Sequence, residues 1–240
     1  MTTDRCIIIP AYNEEKNIAR VIENIRTHTE AMIVIIDDGS KDGTAGRAQE
    51  AGALVISHPF NMGYGAALQT GYKYALEKDY RCLVQMDGDG QHDPKHVPEL
   101  FRELEAASCD VVIGSRYLNG RNYRTGILKT LGTALFRLVI RLLTGEIITD
   151  PTSGYQGLNR DVFRFFTDDG FPCDYPDANI IIILHRRGYR IKEIPVAMRP
   201  NPEGRSMHRG FANIVYYFFK VFLSIFVTML RKNSHKGRGK

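Results

Sequence analysis

A chain of 240 residues, 43% hydrophobic and 25% charged, has enough apolar content to bury one ordinary core with room for an appendage. The formal net charge of +5 is uneven: the last ten residues carry Arg231, Lys232, Lys236, Arg238 and Lys240 and no acid. Such a tail is a solvated end or a partner for anionic lipid headgroups. Cys6, Cys82, Cys109 and Cys173 lie far apart with no Cys-x-x-Cys pair, which excludes a disulfide framework or zinc site argued from spacing. Cys6 and Cys82 fall in apolar runs and read as buried free thiols, which suits a reducing compartment.

Residues 6–9 form a short apolar run rich in β-branched side chains and read as a buried parallel strand. The chain enters this strand almost at once, so no signal peptide is expected. Pro10-Ala11-Tyr12-Asn13-Glu14-Glu15 follows. Its acids suit the first turn of a helix, and apolar Ile18, Val21, Ile22 and Ile25 predict that helix over 14–27. A second strand over 32–36 runs into Asp37-Asp38-Gly39-Ser40-Lys41-Asp42-Gly43-Thr44. Carboxylates at a strand end can accept hydrogen bonds from the base or ribose of a nucleotide. Ser40 to Thr44 can cap the next helix, whose N-terminus favours anions. A third strand over 53–56, the glycine-rich turn Asn61-Met62-Gly63-Tyr64-Gly65 and a helix over 65–76 come next.

A fourth strand over 82–86 ends in Met86-Asp87-Gly88-Asp89-Gly90-Gln91-His92-Asp93. Two carboxylates two residues apart, with an amide oxygen two further on, offer hard ligands to one divalent cation, Mg²⁺ or Mn²⁺, shared with substrate phosphates. The glycines let the backbone turn tightly and a diphosphate approach closely. Asp and Gly also crowd ordinary polar turns, so a lone Asp-x-Asp leaves both readings open. A helix over 94–107 and a strand over 111–113 complete the alternation. Strand, helix, strand repeated this way predicts an α/β sheet, mostly parallel, with ligands outside the carboxyl ends of the strands. There is no phosphate loop, no dinucleotide glycine fingerprint and no nucleophile elbow, and the histidines show no His-x-x-x-His spacing.

Two stretches depart from this pattern. Over 127–143 the polar residues Thr130, Thr133, Arg137 and Arg141 fall in one narrow stripe at helical spacing, and Leu128, Leu131, Leu135, Phe136, Leu138, Val139, Ile140 and Leu142 fill the rest. Over 211–230 the stripe is Asn213, Tyr217, Lys220 and Ser224. A broad apolar face with a thin cationic stripe suits a helix lying in a bilayer interface, and two core helices of one domain are the alternative. The second stretch is long enough to span a membrane, but a central Lys220 would cost about 2.5–3.5 kcal/mol there. Lying in the interface is the expectation.

Taken in order, Pro10-Ala-Tyr-Asn-Glu14, Asp37-Asp-Gly-Ser40, Asn61-x-Gly-x-Gly65, Asp87-Gly-Asp-Gly-Gln91, Gly114-Ser-Arg-Tyr117, Asp150-Pro-Thr-Ser-Gly154, Glu193-Ile-Pro-Val196 and Gly204-Arg-Ser206 resemble glycosyltransferase family 2. Within it they resemble the dolichyl- or polyprenyl-phosphate hexose synthase branch. The resemblance implies a GT-A fold, a nucleoside diphosphate sugar donor and inversion at the anomeric carbon. It implies that Asp87, Asp89 and Gln91 hold the metal and the donor diphosphate, and that Pro10, Tyr12, Glu14, Asp37 and Asp38 surround the nucleoside. Arg116 would reach the phosphates, and Arg124 and Lys129 are the candidates for the lipid phosphate. Asn201 stands where the family often carries Arg.

The expected organisation is a GT-A domain over 1–207, containing the interfacial helix, then a membrane-associated helix and basic tail over 208–240. The expected partners are the sugar nucleotide, a polyprenyl phosphate and the cytoplasmic membrane surface, with a homo-oligomer or small membrane-protein partner allowed and no nucleic acid. A lipid phosphate is already ionised near neutral pH and attacks without a general base. A glycan or glycolipid hydroxyl would need one, and Asp150, Asp174 and Asp177 are the available carboxylates. A non-catalytic sugar-nucleotide-binding subunit is the remaining alternative.

Overall fold

The computed structural model describes residues 4–118, 127–168, 171, 178–199 and 223. The expected domain boundary after 207, the helix expected over 211–230 apart from Leu223, the basic tail, Arg124, Asp174, Asp177 and Gly204-Arg-Ser206 lie outside these residues.

The chain alternates as expected. Strand β1 is Arg5–Ala11, followed by α1 (Ile18–Arg26), β2 (Met32–Asp37), α2 (Thr44–Glu50), β3 (Leu54–Ser57), α3 (Tyr64–Glu77), β4 (Cys82–Gln85), α4 (Val97–Glu105) and β5 (Val111–Ser115). Then come α5 (Ile127–Thr144), β6 (Gln156–Asn159), α6 (Arg160–Phe166), α7 (Ala178–Arg186) and β7 (Ile191–Pro195). The seven strands form one sheet in the order β3-β2-β1-β4-β6-β5-β7. Only β6 runs against its neighbours, pairing antiparallel with β4 and β5.

Alternate strand residues build two cores, as a two-residue period dictates. Ile7 and Ile9 of β1, with Ile33 and Ile35 of β2, pack under α1, α2 and α4. Cys6 and Ile8, with Val34 and Ile36, pack under α3, α6 and α7 on the other face. Ile18, Val21, Ile22 and Ile25 are the buried stripe of α1, as their spacing predicts. The regular helix starts four residues later than expected, after a turn in which Asn17 and Ile18 N–H both donate to Glu14 O. Asn13 N–H donates to Ser40 Oγ and Glu14 N–H to Thr44 Oγ1, tying that turn to the chain after β2.

Helix α5 divides its surface in three. Phe136 and Ile140 are fully buried in the core. Leu131, Leu135, Leu138, Leu142 and Leu143 are exposed, and Ile147 beyond the helix is 70% exposed. The polar stripe does not face solvent throughout: Thr133 is buried and Arg137 turns inward, while Thr130 and Arg141 are exposed. The exposed side of this helix is therefore mostly leucine. No helix among the described residues is long and apolar enough to cross a membrane.

Candidate active site

The carboxyl ends of β1, β2, β4 and β5 lie along one edge of the sheet, and the motifs that start at Pro10, Asp37, Asp87 and Gly114 lie there. Because β6 is antiparallel, the segment entering it reaches the same edge, so Asp150 to Gly154 joins the motifs that end the parallel strands. The topology thus collects residues spread over more than a hundred positions.

At the end of β4 the backbone leaves the sheet after Met86 N–H donates to Ile8 O. The next N–H, of Asp87, donates to His92 Nδ1 at 3.0 Å, closing the turn with a side chain. Asp89 Oδ1 accepts the Gln91 N–H at 2.9 Å, and Gly90 takes φ +77, a left-handed conformation suited to glycine. Asp87 Oδ1 accepts the Tyr64 hydroxyl at 3.1 Å. Gly154 leaves room for this contact, since a Cβ there would lie 3.0 Å from Tyr64 Oη and 3.3 Å from Asp87 Oδ1. Burial raises the Asp89 pKa, and the nearby Asp87 charge raises it further. Two acids crowded in this way favour a counter-cation. No group of three or more His, Cys, Asp or Glu side chains forms a metal cage among the described residues. The donor set of two carboxylates and the Gln91 amide instead fits a hard cation that completes its shell from a ligand's phosphates.

At the end of β2, Asp37 and Asp38 are buried, and both serve the protein's own backbone. Asp38 accepts His58 Nδ1 at 2.7 Å, Met62 N–H at 2.9 Å and Gly63 N–H at 2.8 Å. Three of its roughly four acceptor sites are therefore used on the loop before α3. Asp37 Oδ1 accepts the Ser40 N–H at 3.1 Å. Gly39, at φ +70, passes so close to this loop that a Cβ would lie 2.5 Å from the Phe60 carbonyl carbon. Pro10 is buried, Tyr12 is 43% exposed, and Glu14 Oε2 accepts the Asn17 side-chain amide. An open cleft of about 210 Å³ is lined by residues 13–17 with Lys41 and Asp42. Of the expected nucleoside contacts it includes Glu14 and none of Pro10, Tyr12, Asp37 and Asp38.

Arg116 follows β5. Its Nε and Nη2 donate to the Asp150 carboxylate at 2.6 and 2.7 Å, and Nη2 also reaches Thr152 Oγ1 at 2.9 Å. The Arg116 N–H donates to Asp150 as well, at 2.9 Å. Asp150 is wholly buried, so this pair is a structural clamp. That corrects the expectation of Asp150 as an available base, because both its oxygens are held by Arg116. Glu193 of β7 locks the same loop: it accepts the N–H groups of Thr149 and Asp150, each at 2.8 Å, and the Thr149 hydroxyl at 3.0 Å. Ser153 Oγ donates to Gly114 O at 2.6 Å. The motifs around Gly114, Asp150 and Glu193 are therefore one buried scaffold.

Helix α5 joins it through Arg137, whose Nε donates to Thr149 O at 2.7 Å and whose guanidinium lies 4.5 Å over the Tyr117 ring. Its Nη2 is buried with no hydrogen-bond partner among the described residues. Only the backbone of Lys129 is described, within α5. Sequence reasoning missed His58, Tyr64, His92 and Arg137. No His-x-x-x-His spacing marks His92, although it stands five residues after Asp87 in the turn that carries the acids.

Among curated relatives, the chain is 32% identical over 232 residues to polyprenol monophosphomannose synthase of Mycolicibacterium smegmatis, covering 90% of this chain and 84% of that one. It is 30% identical over 216 residues to undecaprenyl-phosphate mannosyltransferase of Micrococcus luteus, covering 85% and 86%. It is 29% identical over 245 residues to UDP-N-acetylglucosamine–dolichyl-phosphate N-acetylglucosaminyltransferase of Methanococcus voltae, covering 94% and 96%. In fold it is similar to the crystal structure of glucosyl-3-phosphoglycerate synthase from Mycobacterium tuberculosis in complex with Mn²⁺, UDP and phosphoglyceric acid. The TM-score is 0.73 at 22% identity, covering 98% of this chain and 81% of that one. The fold is GT-A, with a mostly parallel sheet and flanking helices, as the resemblance implied. The model of glycosyl transferase family 2 matches residues 6–166, and the chain belongs to that family.

Proposed function

We propose that this glycosyltransferase moves a hexose, with inversion, from a nucleoside diphosphate sugar to a polyprenyl phosphate at the cytoplasmic membrane face. The observation that carries the reading is the join between α5 and the site. A helix exposing a row of leucines is tied by Arg137 to Thr149 and Tyr117, beside the Arg116–Asp150 clamp. A long-chain lipid resting on that face would bring its phosphate to the carboxyl edge of the sheet. The relatives named above act, by their names, on polyprenyl, undecaprenyl and dolichyl phosphates, which supports the same acceptor class.

In this reading Asp87, Asp89 and Gln91 hold a divalent cation, Mg²⁺ or Mn²⁺, which supplies positive charge to the leaving diphosphate. Pro10, Tyr12, Glu14, Asp37 and Asp38 shape the nucleoside end, Asp38 by fixing the loop that leads into α3. Arg116 keeps a cation at the end of β5, and Arg137, Arg124 and Lys129 bring further positive charge to the acceptor side. The acceptor phosphate is its own nucleophile, so no carboxylate base is required. The engagement of Asp150 removes one of the three bases that a hydroxyl acceptor would have needed. Residues 208–240 form the second membrane attachment, apolar first and then basic.

A donor panel of GDP-mannose, UDP-glucose and UDP-N-acetylglucosamine, assayed with polyprenyl phosphate in detergent, tests the reading. One donor should give a lipid-linked sugar, and EDTA should abolish its formation until Mn²⁺ or Mg²⁺ is restored. Full turnover in EDTA would remove the metal from the account.

A further inference from the structure

We propose that His92 is a positioning residue that aims the Asp87 carboxylate, through the backbone of the acid itself. The inference rests on the reading that Asp87 and Asp89 share a divalent cation, and it adds a residue to that site. A backbone N–H can only donate, so the 3.0 Å contact from Asp87 N makes His92 Nδ1 an acceptor. The neutral imidazole then carries its proton on Nε2, which lies 3.5 Å from Asp87 Oδ2. One ring therefore meets Asp87 twice, its Nδ1 lone pair accepting the backbone N–H and its Nε2 standing within ion-pair distance of the carboxylate. The other carboxylate oxygen, Oδ1, accepts from Tyr64.

The ring is itself fixed. It is 3% exposed, lies parallel to Tyr155 with centroids 4.7 Å and planes 12° apart, and belongs to a residue bridged to Met198. Tyr155 is anchored in turn by its hydroxyl, which donates to Asp93 O at 3.1 Å. Such a buried chain has one purpose here that the strands do not serve. The ladder of β4 ends before Asp87, and the two neighbouring acids repel each other until a cation arrives. Without the clasp Asp87 would swing away from Asp89.

Three full-length variants separate the roles of the ring. His92→Asn puts an amide oxygen near the Nδ1 position and keeps an acceptor for the Asp87 N–H. His92→Phe keeps the stacked ring and removes the acceptor, and His92→Ala removes both. Mn²⁺ is titrated by electron paramagnetic resonance with saturating UDP and, separately, GDP, with circular dichroism confirming the fold. His92→Asn should bind Mn²⁺ within a few-fold of wild type, and the folded Phe and Ala variants about 10–100-fold more weakly. Wild-type affinity in either of those two, or a loss in His92→Asn as large as in His92→Phe, overturns the proposal. Should neither Phe nor Ala fold, a nitrogen–proton correlation spectrum of wild-type imidazoles in mildly alkaline buffer decides. It should show a bare Nδ1 and a protonated Nε2 at His92, and the opposite tautomer overturns the clasp. A wild type that binds no Mn²⁺ with either nucleotide refutes the metal assignment itself, a failure distinct from any in the His92 series.

Discussion

In the proposed site Asp89 carries both the chemistry and its cost. Its folded pKa is raised by burial and then by Asp87, so between the unfolded value, about 3.9, and the higher folded value the native chain binds the proton more tightly. Stability is therefore lost as pH rises through that window, and at neutral pH the metal-free fold carries an unfavourable charge. Asp89→Asn keeps an oxygen for the Gln91 N–H but no charge. It should melt at a higher temperature than wild type in EDTA at neutral pH, and the advantage should vanish in acid. The same variant should lose transfer activity by orders of magnitude, because the leaving diphosphate is then poorly neutralised. A melting temperature equal to or below wild type in EDTA would contradict this account. Asp150 behaves oppositely. Removing the wholly buried Asp150 strands the largely buried Arg116 guanidinium, so Asp150→Ala should cost about 3 kcal/mol in urea unfolding. A loss of activity in that variant reports damage to the scaffold and says nothing of a catalytic base.

Among the elements, α5 has the most to test. An exposed leucine row is not needed for folding, so Leu135→Ser, Leu138→Ser and Leu142→Ser together should change stability little. Each leucine fully transferred from water is worth about 1.5–3 kcal/mol, so the triple variant should bind anionic vesicles about a hundredfold more weakly or worse. Unchanged co-sedimentation with vesicles would leave this face without a membrane role. The same helix shows how far sequence reading reaches. Its apolar breadth was legible, but the division into a core side at Phe136 and Ile140 and an exposed side at Leu138 and Leu142 was not. That division depends on what packs against the helix, and α7 was itself invisible. Its four successive isoleucines, Ile180 to Ile183, carry no helical period, because the helix is buried over much of its girth. Strand β6 was missed for the converse reason: Gln156-Gly-Leu-Asn159 has no apolar run, and it is held as a strand by β4 and β5 on either side.

At the scale of the molecule, the strands β1 to β5 and their carboxyl-edge motifs were legible because each is a local pattern. The scaffold linking Arg116, Asp150 and Glu193 was not, since it joins residues 34 and 43 positions apart through buried hydrogen bonds. Local patterns located the acids, and the fold decided which of them are free to act. Truncation before Phe211 addresses the appendage proposed for 208–240. The shortened protein should keep its fold and sugar-nucleotide binding while transferring poorly to long-chain lipid, as circular dichroism, calorimetry and a transfer assay would show. The central claim is that an ionised lipid phosphate is the acceptor. The most direct measurement compares polyprenyl phosphate with the matching dephosphorylated polyprenol as acceptors, in the same detergent and with the active donor. The account predicts a lipid-linked sugar from the phosphate and none from the alcohol, and equal transfer to the alcohol would contradict it.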